Sequence, residues 1–142
     1  MIKNELNSIV DDLKSLGKMS FFEGVSENEI IEFEKKHNVS LSSQLKEWYL
    51  FSDGGEFFLP AGLQLYGISH KPLIDMNNED RPNDNYFVIG ALSDGNPVLS
   101  EKNSEKIYIY NHGLGIIESD EIYPNFFTFL KDLPNIFGIW YL

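Results

Sequence analysis

Over the first fifty positions apolar residues recur at steps of three and four; beyond residue 55 the step shortens toward two. Ile2, Leu6, Ile9, Leu13 and Leu16 fall on one helical face, with Lys3, Glu5, Asp11, Asp12 and Lys14 mainly elsewhere. Gly17 follows as the expected C′ residue. Met19, Phe21 and Phe22 form a short apolar connector expected to pack on the core. Ser26 and Glu29 have the spacing of a capping box, which opens a second helix with Ile30, Phe33 and His37 on one face. Asn38 suits a left-handed stop. Ser40 or Ser42 caps a third helix, preceded by Leu41 in a staple position and burying Leu45, Trp48, Tyr49 and Leu50. Asp53-Gly54-Gly55 then breaks the helix, because two glycines reach positive φ without steric cost.

The rest reads as strands. Glu56–Leu59 is short and ends at Pro60-Ala61-Gly62; Leu63, Leu65 and Ile68 alternate in a second strand able to pair with it. Residues 70–85, polar with two prolines, form the longest loop. Tyr86–Leu92 is apolar on both faces and hence central. Val98–Ser100 and Lys106–Tyr110 flank a hairpin turn, and Leu114–Glu118 is a further strand. Ser119–Leu133 reads as a closing helix, with Pro124 early, the apolar face built from Phe126, Phe127, Phe129, Leu130 and Leu133, and Pro134 as the stop. The apolar tail 135–142 is expected to pack on the core or to add an edge strand. The expectation is one domain over 1–142: an N-terminal helix in 1–17, paired helices in 26–55, a sheet in 56–118 and a closing helix in 119–133.

Composition agrees with a folded domain: 142 residues, 42% hydrophobic and 14% aromatic, with no cysteine. The N-terminal segment is charged and lacks the apolar core of a signal peptide, and no apolar run approaches the roughly 18 residues of a membrane span. A cytoplasmic location is the expectation. Charge changes the picture more. Formal net charge is −11. Residues 1–50 carry nine acids and six bases, whereas residues 51–142 carry thirteen acids and five bases. A field of that sign repels nucleic acid and anionic membranes and speeds encounter with basic partners.

Catalytic patterns are missing. His37, His70 and His112 lie far apart, without the spacing of a helical metal pair. There is no G-x-S-x-G elbow and no phosphate-binding loop, and residues 77–84 do not follow the calcium-loop pattern. Adjacent acids such as Glu32/Glu34 or Asp120/Glu121 are common in so acidic a chain and single out no acid–base pair. No catalytic residue, metal or cofactor is expected.

The helical stretch has a second reading. Ile30, Phe33, Glu34, Asn38, Leu41, Ser42, Leu45, Trp48, Leu50, Asp53, Gly54 and Gly55 stand in an order that resembles the signature of the SUKH superfamily, the Smi–Knr group. Downstream, YFVIGALSDGNPV, KIYIYNH and YPNFFTFLKDL resemble its later strands and closing helix, so the likeness spans about residues 20–133. Ser42 replaces the usual Pro, Leu45 the usual aromatic and Asp53 the usual Asn. The resemblance implies an α+β fold: a mostly antiparallel sheet of about five or six strands flanked by helices. It further implies a protein without catalytic residues. Bacterial relatives are immunity proteins that neutralise a cognate polymorphic toxin, often a nuclease or deaminase; fungal relatives are regulatory scaffolds of cell-wall synthesis.

Three classes of function follow: a toxin-neutralising binder of a basic protein toxin, a regulatory binding module, and a small enzyme or ligand-binding domain using the aromatic-rich sheet. Gene neighbourhood separates the first two, and a closed pocket with convergent polar groups marks the third. For the first, contacts are expected near the Gly54-Gly55 turn and the 70–85 loop. The candidates are Asp53, Glu56, Asp75, Glu79, Asp80, Asp84 and Asp94, with Tyr66 and Tyr86 as aromatic anchors.

Overall fold

Local hydrogen bonds set the helical half of the chain. In the computed structural model, which describes residues 2–139, α1 spans Ile2–Lys14, α2 Glu27–His37 and α3 Ser43–Phe51. The Ser26 hydroxyl accepts from the Glu29 amide at 3.2 Å, and the Ser26 amide donates to Glu29 Oε1 at 3.2 Å, completing the capping box. Asn38 ends α2 in the left-handed region at φ 52°. Ser42, rather than Ser40, caps α3 by accepting from the Leu45 amide at 3.2 Å. Replacing Ser26 with alanine is expected to lower stability by about 1 kcal/mol, read as a shifted urea midpoint with an unchanged slope.

Three signature residues also act locally. Glu34 accepts from the Leu41 amide at 2.8 Å and faces Lys46 at 3.6 Å, which ties α2 to the start of α3. Gly54 and Gly55, at φ 92° and 142°, turn the chain out of α3 directly into the first strand. Gly17 is not left-handed, contrary to its expected role as C′ residue. It is required instead by close approach, since a Cβ there would lie 2.5 Å from the Phe58 ring.

Six strands form one antiparallel sheet in sequential order: β1 Gly55–Phe57, β2 Leu63–Leu65, β3 Tyr86–Leu92, β4 Pro97–Glu101, β5 Ile107–Asn111 and β6 Ile116–Tyr123. β3 is internal, with Phe87 and Ile89 on the helix-covered side and Val88 on the other. All the helices pack on one side. There the sheet's Phe57, Leu63, Leu65, Phe87, Ile89, Val98, Ile107 and Ile109 share a continuous core with Leu6, Ile9, Ile30, Phe33, Leu45, Trp48, Phe126 and Leu130.

The sheet extends further than the sequence suggests. Residues 119–123, read as the start of the closing helix, belong to β6. Tyr108 pairs with Ile122 and Tyr110 with Ile117, so the residues 118–121 bulge opposite Ile109 alone. That bulge erases the period-two pattern by which a strand is recognised. The helix starts later, at α4 Phe126–Lys131, where Asn125 Oδ1 accepts from the Thr128 amide at 2.9 Å. Pro134 does not stop it but lies in the first turn of a short α5, Leu133–Ile136. Of the apolar tail, Ile136, Phe137 and Ile139 pack on the core, with Phe137 5.8 Å from Phe58, and the chain is helix and turn here rather than an edge strand. Residues 140–142 of that tail lie outside the described ones.

Candidate partner-binding surface

The long loop after β2 is held at its root by a carboxylate. Asp53, expected at the contact surface, is only 3% exposed. Its side chain accepts from the amides of Ile68 at 2.6 Å, Ser69 at 2.8 Å and His70 at 2.7 Å. The chain passes so close that a Cβ on Gly67 would sit 2.3 Å from the His70 carbonyl oxygen. Asp53 therefore serves the fold. The Ser69 hydroxyl donates to Glu29 Oε2 at 2.8 Å. That bond, with the capping bond to Ser26, holds the Glu29 carboxyl below the usual range. His70 stacks on Phe22 at 3.8 Å, and Gly67 bridges to Leu73 in parallel.

Beyond this anchor the loop reaches the far end of the sheet. Asp80 lies 3.2 Å from Nδ1 of His112, in the turn between β5 and β6, an ion pair whenever that imidazole is protonated. Arg81 donates to the Tyr86 carbonyl at 2.8 Å and meets Asp84 at 3.2 Å. Burial, and then the charge of Asp80, push the Tyr66 phenol above its ordinary pKa. Asp75 accepts from the Asn77 amide at 2.9 Å, and the Glu79 side chain is exposed. The His112 amide donates to Asn96 at 3.3 Å, and Asn96 in turn donates to Asp94, so the β3–β4 and β5–β6 turns sit together.

The surface beneath this loop is the helix-free side of the sheet. Cross-strand partners lie on one face, so Val88, Leu99, Tyr108 and Ile122, paired in series, form a row across four strands. Val88, Leu99 and Tyr108 are buried, and half-buried Tyr66, Tyr86, Tyr110 and Ile117 pack around them. Tyr86 meets Tyr108 edge-on at 5.2 Å. The Tyr108 hydroxyl donates to Glu101; burial first, and that bond second, push the phenol far up.

Of the expected contact residues, Tyr66 and Tyr86 pack on this face, Asp84 pairs with Arg81 beside Tyr86 at one end of β3, and Asp80 and Asp94 meet the β5–β6 and β3–β4 turns at its other end. Asp75 and Glu79 lie earlier in the same loop. Glu56 stands apart on β1, the opposite edge. The sequence reading passed over Tyr108, Tyr110, Glu118, Asp120 and Glu121. The two tyrosines carried a legible signal, their i, i+2 spacing in KIYIYNH, which puts both on one strand face. Asp120 and Glu121 were hidden by the helical reading of residues 119–123, and Glu118 stood at the end of the expected strand Leu114–Glu118.

Among the described residues no three His, Cys, Asp or Glu side chains are grouped to hold a metal ion, and no helix is long and apolar enough to cross a membrane. His37 lies 4.6 Å from the Phe33 ring, where burial first and Lys36 second lower its pKa. It lines an open groove beside Glu29, but that carboxylate is already engaged with Ser26 and Ser69.

No curated protein sequence matches this chain. The sequence model of the SMI1 / KNR4 family (SUKH-1) matches residues 24–132, from the turn before the capping box to the end of α4. The matched stretch holds Glu34, Asp53, the Gly54-Gly55 turn and the whole sheet, and the chain belongs to the SMI1 / KNR4 (SUKH-1) family.

Proposed function

We propose that this chain is a cytoplasmic immunity-type binding protein that neutralises a cognate basic toxin, a nuclease in the simplest case, by covering it rather than by chemistry. The observation that carries the reading is the helix-free sheet face, where half-buried tyrosines are bordered by acids. Tyrosine brings large contact area at low entropic cost and is enriched in protein interfaces. A net charge of −11 suits occupation of a phosphate-binding cleft and speeds encounter with a cationic partner. Glu56, Tyr66, Asp75, Glu79, Asp80, Asp84, Tyr86 and Asp94 are the proposed contacts retained from the sequence; Asp53 is not among them because it faces inward.

Co-expression with the product of the adjacent gene tests this. The expected result is that the neighbour stops growth alone, that this chain restores it, and that the two co-purify. A neighbour that is harmless alone or does not bind would sink the reading. In that case the regulatory binding module of the Smi–Knr type takes its place.

A further inference from the structure

The two edges of the sheet are treated differently. β1 is bridged to the connector at Ser20, with backbone bonds of 2.9 and 2.8 Å to and from Glu56. β6 closes the other side and has no further strand among the described residues. Exposed apolar surface concentrates there: Leu114 is 68% exposed, Ile116 46% and Ile122 42%. The Tyr108–Ile122 and Tyr110–Ile117 pairs carry the tyrosine face into this strand.

The bulge of β6 adds unbalanced charge. Glu118, Asp120 and Glu121 fall within it, and among the described residues neither they nor Asp94 enter an ion pair. Glu121 Oε2 is buried without a hydrogen-bond partner. Its carboxyl is held above the usual range by desolvation first, then by Asp120, Glu118 and Asp94. A bulge and like charges discourage pairing with a second copy of the same edge. They do not discourage a cation.

We propose that the β5–β6 end of the helix-free face, from Tyr86 and Tyr110 to the 118–121 bulge, docks an arginine-rich segment of another protein. Charge complementarity chooses the occupant: among the described residues the acids meet no cation, and the half-buried Tyr110 and the exposed Ile122 lie on the strands that border them. Arginine fits better than lysine because its planar guanidinium stacks on tyrosine while bonding carboxylates, and its stem covers apolar surface. The proposal rests on the immunity reading for the class of partner and moves the expected contact from the Gly54-Gly55 turn to the opposite end of the sheet.

An oligoarginine peptide titrated into the full chain and followed by amide NMR tests the site without any toxin. Shifts are expected at Tyr86, Tyr108, Tyr110 and residues 116–122, with several-fold weaker binding of oligolysine. Glu118→Gln with Asp120→Asn, both on exposed side chains, should weaken binding about fivefold, the equivalent of two surface ion pairs. The Glu121 carboxyl should titrate lower with peptide bound, because a cation favours its charged form. Shifts spread evenly over the acids of α1, α2 and the 70–85 loop, or equal binding of both peptides, overturn the proposal. So does full protection by a Glu118→Lys, Asp120→Lys chain in a co-expression assay where the natural chain protects. Failure of the natural chain to protect sinks the immunity reading instead and leaves the peptide result standing.

Discussion

Asp53→Ala is expected to lower the unfolding free energy by about 3–4 kcal/mol, since each of three amides left without an acceptor costs roughly 1 kcal/mol or more. Its carboxylate divides its work: Oδ1 takes the Ile68 amide, and Oδ2 takes those of Ser69 and His70. Asparagine cannot reproduce this. One oxygen becomes an NH2 group that faces donors, so Asp53→Asn should cost about 2 kcal/mol despite its similar shape. Urea denaturation measures both losses. Hydrogen exchange adds a local signature, with faster exchange at Ile68, Ser69 and His70 than in β3. A change of less than about 0.5 kcal/mol in both variants, the range of an ordinary surface substitution, would show that the loop is held by other contacts. These three bonds make Asp53 a fold residue despite its charge.

Trp48→Ala should be comparably severe, about 3–5 kcal/mol for an indole removed from a packed core. Trp48 has no exposed surface and joins the helical and sheet halves. Its ring lies 5.5 Å from Phe21, 5.4 Å from Phe51, 5.3 Å from Phe57 and 6.1 Å from Phe126, residues of the connector, α3, β1 and α4. Trp48 Nε1 is buried without an acceptor. Trp48→Phe therefore loses volume but also removes an unsatisfied donor, and should cost only about 1–2 kcal/mol. The expected order of stability is natural chain, then Phe, then Ala. A phenylalanine variant as unstable as alanine would mean that the indole nitrogen has a partner, such as a buried water.

The two kinds of acid on this protein call for different experiments. Glu29, Glu34 and Asp53 satisfy backbone amides, and their replacement should be read in stability. Glu118 and Asp120 satisfy nothing within the described chain, so their replacement should be read in binding. pH separates them as well. Glu29 is held below its ordinary range, so its contribution is present above the unfolded carboxylate value and is lost as pH falls through the lower folded value. Glu121 is held above its range and acts in the opposite sense, favouring the folded state as pH falls.

The sequence by itself determined what depends on neighbours a few residues away. Ser26 with Glu29, Asn38 and the Gly54-Gly55 turn are local devices, each where its spacing placed it, and Ser42 is one of the two caps that the spacing allowed. β3 was legible for a similar reason: seven residues apolar on both faces have few alternatives to an internal strand. Order and spacing of the same residues carried the family likeness over most of the chain. Tertiary structure alone decided which side of the sheet the helices cover, because strand alternation marks two faces without saying which one is packed. It decided the role of Asp53, whose partners lie fifteen to seventeen positions away. It also decided that residues 118–121 bulge from an edge strand, since that register exists only through pairing with β5. The acids and tyrosines were visible in the sequence from the start, but only pairing between strands could assemble them into one surface.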